Sequence, residues 1–407
     1  MVVKMNKVVG STCMIAGTAI GAGMIALPMT LAKLGFLATG GLMAITWLIV
    51  YYSALLGTEL TLRVGDNVTL SEIARRLSGR GAEMIAMGCV MVLSYALLAA
   101  YLYGGSSISA SLLQATLEQV IPLTSLIKGA ALFLFIVLTL GMRWIDYLNR
   151  LIFLALIGLL IITIVGLSQG IKVTTIPQAT LETFNLSTWT IALPIIFTSF
   201  GFQMMIPAIS GYLNRDVISI KRAFWWGSLI PVGVYVTWTL ATLGTLTTYQ
   251  PDLFQKVVSE SVDVGEFVQM LSTTTTWNQL QSLVWGVSFF AIITSAFGVA
   301  LGLVDLWKKL LPLPLTGWSR KMIAALITVL PPFSSALLTP GAFIKALGFA
   351  GMILVVIAII LPTYLIYKSD QDKPSSPYAL TNNHLVRLSC LAFALGLVGC
   401  ELFNMVK

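Results

Sequence analysis

Ile15-Ala16-Gly17-Thr18-Ala19-Ile20-Gly21-Ala22-Gly23-Met24 lies inside an apolar run that starts near residue 7, and a second apolar run carries Phe197-Thr198-Ser199-Phe200-Gly201-Phe202-Gln203-Met204. Each segment is long enough to span a membrane and is weakened at its centre by glycine, which costs a helix about 1 kcal/mol relative to alanine. In lipid every backbone N–H and C=O needs a partner, so a spanning helix opens only where the freed groups face a protein-lined cavity. Gly201 follows Gly21 by 180 residues, close to half of the 407-residue chain. Interrupted spans at corresponding places in two halves point to a transporter binding site near the bilayer midplane.

Composition sets the class. The chain is 57% hydrophobic and 10% charged, with a mean hydropathy of +0.92, whereas soluble domains carry roughly 25% charged residues. At about 20 residues per span, the pattern predicts an all-α polytopic membrane protein forming one domain over residues 1–407. Eleven spans are expected, near 7–32, 36–61, 82–107, 125–142, 146–168, 188–212, 223–247, 280–306, 320–338, 342–367 and 386–405. Lys4 and Lys7 before the first apolar run resemble the start of a signal peptide, but the glycine spacing and the lack of a cleavage site speak against one.

Charge supports the count. With a cytoplasmic N-terminus, Lys33, Lys128, Lys172, Lys256, Lys345 and Lys407 fall outside, and the rest of the 24 Lys and Arg fall inside. That bias fits the positive-inside rule and an odd number of spans, with the C-terminus periplasmic. The net charge of +8 then belongs to loops beside anionic lipid, so the bilayer is the expected partner and nucleic acid is not. Cys13, Cys89, Cys390 and Cys400 fall inside spans without a CxxC pair and read as reduced packing residues. The single histidine, His384, precedes the last span, which excludes a buried histidine proton relay. Oligomeric state leaves no mark on the sequence.

A helix that stops at Ala19 and restarts near Gly23 frees carbonyls on one side and N–H groups on the other. The restarting helix presents a positive dipole end suited to a carboxylate. The freed carbonyls suit an ammonium group or a small hard cation, and Gly21 and Gly23 clear a path to the backbone. A zwitterionic α-amino acid matches both ends of one break. The competing reading is close helix packing, glycine's commoner use in membranes. No strand precedes the glycines, which argues against a nucleotide loop.

Several stretches resemble bacterial tyrosine permeases of the hydroxy and aromatic amino acid permease family, within the amino acid–polyamine–organocation superfamily. They are Ala16–Met24 with Leu27-Pro28, Ile196–Phe202, Tyr95-Ala96-Leu97 with Ala99-Ala100-Tyr101, Thr294-Ser295 with Gly298–Leu303, and Leu330-Pro331-Pro332. The resemblance covers essentially the whole chain. It implies a leucine-transporter-like inverted five-plus-five repeat, with repeat one over about 7–168, repeat two over about 188–367 and an extra helix over about 386–405. Helices 1 and 6 are expected to be discontinuous. It also implies that the N–H groups of Ala22 and Gly23 bind the substrate carboxylate, and that the carbonyls of Ala19 and Phe200 bind its ammonium group. Tyr95 is expected to cover the substrate, although a core tyrosine with a satisfied hydroxyl weighs equally. Phe200, Phe202 and Phe297 are expected around the side chain, with Gly21 and Gly201 at the two breaks. Such permeases usually carry histidine where this chain has Gln203, and an amide does not titrate.

No nucleotide loop or other cofactor motif appears, so ion coupling is expected. Thr294 and Ser295 with the carbonyls of Gly17 and Ile20 would form a sodium cage, unless the hydroxyls simply bond back to their helix. The resemblance implies protons, which need a titratable carrier; Glu59, Asp305 and Glu401 are the candidates at membrane depth. The resulting expectation is a proton-coupled symporter of an aromatic amino acid, L-tyrosine first, in a bacterial inner membrane. The alternative is sodium-coupled symport of tryptophan, phenylalanine or another neutral amino acid. A channel is less well supported because no ring of like charges or carbonyl filter repeats. An enzyme lacks any HExxH or Ser-His signature.

Overall fold

The computed structural model describes residues 7–65, 68–139, 142–169, 171, 185–259, 262–274, 278–311, 317–339, 341–372, 380–381 and 383–406. Among them every regular element is helical. Among the described residues nine helices are long and apolar enough to cross a membrane, or ten when one bent pair is taken as a single span. The protein is therefore a multi-pass membrane protein.

The first apolar run forms α1 (Lys7–Ala19) and α2 (Gly23–Leu31), which meet at 56°. There follow α3 (Gly35–Val64), a short α4 (Leu70–Ser78), α5 (Arg80–Leu117), α6 (Leu123–Thr139) and α7 (Met142–Ser168). The second glycine-weakened run gives α8 (Leu186–Ser199), a 3₁₀ turn at Gln203–Met205 and α9 (Ile206–Tyr212). Next come α10 (Val217–Tyr249), the short α11 (Pro251–Val258) and α12 (Val264–Thr273), α13 (Asn278–Leu310) and α14 (Gly317–Leu338). Then α15 (Ala342–Val355) runs through a π-turn at Val356–Ile360 into α16 (Leu361–Asp372), and α17 (His384–Val406) ends the described chain. At 17 residues, α6 sits at the short end of what spans a bilayer.

Helix boundaries differ from the sequence expectation where small residues mislead. The span expected over 82–107 ends with Gly104-Gly105-Ser106-Ser107, yet α5 continues to Leu117. These residues are small because neighbours press on them. A Cβ on Gly104 would lie 2.6 Å from the Phe343 ring, and Ser107 Oγ donates to Asp263 at 2.5 Å while accepting the Gly265 N–H at 3.0 Å. Those contacts seat α12 on α5. Three short helices were not anticipated. Of these, α4 starts with a reciprocal capping box between Thr69 and Glu72, which satisfies two donors that a helix start leaves free.

Large side chains fill the region where the two interrupted runs meet α10. Phe197, Phe200, Phe202, Phe224, Tyr235 and Trp238 are all fully buried there. By contrast Leu151, Leu154, Ile161, Ile162 and Val165 of α7 are exposed, a lipid-facing stripe at helical spacing.

At one end of the bundle the carboxylate of Glu59, wholly buried, closes a polar knot. It pairs with Arg63 at 2.5 Å and accepts hydrogen bonds from Leu380 N, Thr381 N and Thr381 Oγ1 at 3.0, 3.0 and 2.6 Å. Arg63 also reaches Asp370 at 2.6 Å, and Arg387 lies 3.9 Å from Glu59. A buried charge needs such saturation. The knot ties α3 to the segment between α16 and α17.

Candidate functional site

Backbone hydrogen bonds account for each break in turn. At the first, Ile20 N still donates to Ala16 O at 2.9 Å, and the chain then leaves the helical path through Gly21 and Ala22. Ala22 N, freed by the interruption, donates to Ser295 Oγ of α13 at 3.1 Å. Met24 N and Ile25 N restart the ladder on Gly21 O and Ala22 O at 3.1 and 3.2 Å. At the second break Phe200 N and Gly201 N reach back to Phe197 O and Thr198 O at 3.2 and 3.0 Å. Phe202 N closes a tight turn on Phe200 O at 2.8 Å, and Met205 N donates to Phe202 O at 2.9 Å.

The last carbonyl of each half-helix is left over. Both are met by one side chain: Tyr235 Oη of α10 lies 2.6 Å from Ala19 O and 2.6 Å from Ser199 O. The two breaks also touch. A Cβ on Gly23 would lie 2.9 Å from Ser199 Cα, and one on Gly21 would collide with Ser295 Oγ. Gly23 thus lets α2 approach α8 backbone to backbone, and Gly21 makes room for the Ser295 side chain of α13. Tyr101 of α5 presents its hydroxyl to Ser295 and completes the polar group. A buried cluster with opened carbonyls on one side and an N–H at a helix start on the other offers complementary seats for a zwitterion.

The structure brings together Ala19, Gly21, Ala22, Gly23, Ser295 and the second break. Other expected site residues lie elsewhere. Tyr95 is turned away from the breaks: its hydroxyl donates to Ile327 O at 3.0 Å and accepts from Trp307 Nε1 at 2.8 Å, so it ties α5 to α13 and α14. The carbonyl paired with Ala19 belongs to Ser199, because that of Phe200 is engaged by Phe202 N–H. The three phenylalanines do not converge on one pocket. Phe200 sits edge-on to Tyr235 at 5.3 Å and Phe202 stacks on Phe224 at 5.8 Å. Phe297 faces Phe133 of α6 at 6.4 Å. Packing surface explains all three rings.

Of the residues expected around a cation, Thr294 donates back to Phe290 O at 2.9 Å, and Gly17 packs on α7, where a Cβ would lie 2.8 Å from the Phe153 ring. Ile20 is buried in the first break. Gln203 Nε2 donates to Ser53 Oγ at 3.3 Å. It borders a cavity of about 290 Å³ with Ser53, Gly57, Met204, Ile206 and Ile357, which Tyr235 does not line. Tyr235 and Tyr101 escaped the sequence reading. Tyr101 stands in the quoted Ala99-Ala100-Tyr101 stretch, whereas Tyr235 carries no local signal.

The chain is similar to known proteins over nearly its whole length. The model of the tryptophan/tyrosine permease family matches residues 4–401. Tyrosine-specific transport system 1 of Haemophilus influenzae is 31% identical over 389 residues, covering 95% of this chain and 94% of that protein. A tryptophan-specific transport protein of Pseudomonas aeruginosa is 30% identical over 378 residues, covering 91% and 88%. Glutamine transporter 2 of Aliivibrio fischeri is 28% identical over 367 residues, covering 88% of each. These relatives are transporters and not enzymes.

Proposed function

The chain belongs to the tryptophan/tyrosine permease family, and we propose that it is a symporter importing L-tyrosine across a bacterial inner membrane by alternating access, coupled to protons. The observation that carries this reading is the convergence of Ala19 O and Ser199 O on one buried point, beside the Ala22 N–H. Carbonyls there receive the ammonium group, and the start of α2 receives the carboxylate. The tyrosine-specific relatives favour tyrosine over other side chains. The topology proposed is eleven spans with a cytoplasmic N-terminus, with the α1–α2 pair taken as one span and α6 as another. Its first ten form an inverted repeat.

Proton coupling is supported by what the three carboxyl candidates meet. Glu59 is saturated by arginine and backbone donors, and Asp305 pairs with Lys308 at 3.2 Å. Glu401 is buried against Gly348, whose missing side chain makes room for it. Among the described residues, Asn404 Nδ2 donates to it at 3.4 Å. Glu401 has no arginine or lysine partner among the described residues, unlike Glu59 and Asp305, and an ionisable side chain inside a span marks an ion pathway, so Glu401 is the proposed carrier.

Proteoliposome uptake of labelled L-tyrosine under separately imposed pH and sodium gradients tests both parts. Uptake that follows the pH gradient, ignores sodium and loses its pH drive in Glu401→Gln is expected. Uptake driven by sodium alone, or glutamine outcompeting tyrosine, would contradict the reading.

A further inference from the structure

The Tyr235 hydroxyl sits in an arrangement with too few protons. Its oxygen is 2.6 Å from Ala19 O and 2.6 Å from Ser199 O, and a phenol has one hydrogen to give. One carbonyl therefore accepts a hydrogen bond while the other faces an oxygen with no hydrogen between them. Tyr235 is 0% exposed, so water does not make up the deficit from bulk. Carbonyl oxygens that end two different half-helices, together with the phenol oxygen, form a seat of three acceptors around one donor. A buried seat of this kind is matched by a group with several hydrogens and positive charge.

We propose that Tyr235 is a substrate-binding residue: its hydroxyl latches the two breaks together in the empty carrier and becomes the third acceptor for the substrate's ammonium group. An ammonium group entering the seat donates one hydrogen to Ala19 O, one to Ser199 O and one to Tyr235 Oη. No covalent bond is made or broken: the phenol hydrogen stays on one carbonyl, whose second lone pair accepts from the ammonium, and three dipoles solvate the charge in place of a carboxylate. The ring is fixed for this task by its edge-on contact with Phe200 at 5.3 Å, which joins the latch to the second break. The proposal rests on the amino acid symport reading and deepens it, because it makes one residue of α10 the reader of the amino group.

The test uses the full-length protein in proteoliposomes, with Tyr235→Phe, which keeps the ring and removes the hydroxyl. Inhibition of uptake is measured for L-tyrosine and for its des-amino analogue, 3-(4-hydroxyphenyl)propanoate. The variant should bind tyrosine at least about tenfold more weakly, the scale of one charge-assisted hydrogen bond, with affinity for the analogue unchanged. A merely structural role weakens both equally, and that outcome, or no change in either, overturns the proposal. Should glutamine and not tyrosine prove to be the substrate, the tyrosine reading fails, yet the ratio of glutamine to its own des-amino acid still decides the role of Tyr235. Where the variant does not reach the membrane, 3-fluorotyrosine at position 235 supplies a second readout. Its fluorine resonance should move with the amino acid and stay still with the analogue; indifference to both overturns the assignment.

Discussion

The two breaks look alike in sequence and are built differently. The first is an open bend: α1 and α2 meet at 56°, and Ala22 N depends on Ser295 of α13. The second closes on itself through consecutive short turns, Phe200 N to Phe197 O, Gly201 N to Thr198 O and Phe202 N to Phe200 O. Backbone groups at the first break are thus lent to other helices, while those at the second are largely spent at home. The carbonyl that ends each upstream half-helix, Ala19 O and Ser199 O, lies against the one Tyr235 hydroxyl. The contrast assigns them different tasks. The first break owns the exchangeable N–H, and the second is a stiff partner that supplies one acceptor.

The glycines sharpen this contrast most. Gly21→Leu should reduce uptake on the order of 100-fold, the cost of misplacing a site by about 1 Å, because even a Cβ there collides with Ser295 Oγ. Membrane insertion should persist, as fluorescence of a tagged protein would report. Uptake near normal would remove Gly21 from the site. A smaller loss is expected for Ser295→Ala, which orphans the Ala22 N–H; one unpaired buried donor costs about 1–3 kcal/mol, or roughly tenfold in affinity. A binding isotherm unchanged from the parent would show that Ser295 does not hold the first break. Gly201→Ala comes next. Its Cβ would lie 3.0 Å from Thr198 O and 3.4 Å from Leu354, a crowding that costs about 1 kcal/mol and less than about tenfold in uptake. A loss as large as that of Gly21→Leu would erase the proposed difference between the breaks.

The smallest effect concerns the anchor of the second break. Beyond α9, Asp216 caps α10 by accepting from Ser219 N at 3.2 Å. The Ser219 hydroxyl holds the Asp216 carboxyl below the usual carboxylate range. A depressed value means that its contribution is complete above the unfolded pKa and fades as pH falls through the lower folded one. Asp216→Ala should therefore lower thermal stability slightly at neutral pH and flatten its decline in acid. A variant curve parallel to that of the parent would deny the cap this role.

Much of this was legible before any coordinates. The apolar runs and their central glycines locate the spans and both breaks, because period and length are properties of sequence. Rotation about a helix axis is not. Tyr95 and Tyr101 share α5 and differ by six residues, about 600° of turn and so about 120° around the axis. That is enough to send one to Trp307 and the other to Ser295. Phe200 and Phe202 flank the break glycine and invite a pocket reading, yet their rings fill the contact with α10. Tyr235 was invisible for another reason. It sits in an apolar helix with no motif, and its value comes wholly from carbonyls 36 and 216 residues away in sequence.

The most direct measurement of the central claim, that the paired breaks seat both charges of an α-amino acid, is equilibrium displacement of labelled L-tyrosine from the purified, reconstituted protein. Tyramine lacks the carboxylate and 3-(4-hydroxyphenyl)propanoate lacks the amine. Each should displace at least about tenfold more weakly than tyrosine itself. Displacement by either compound as strong as by tyrosine would contradict the account.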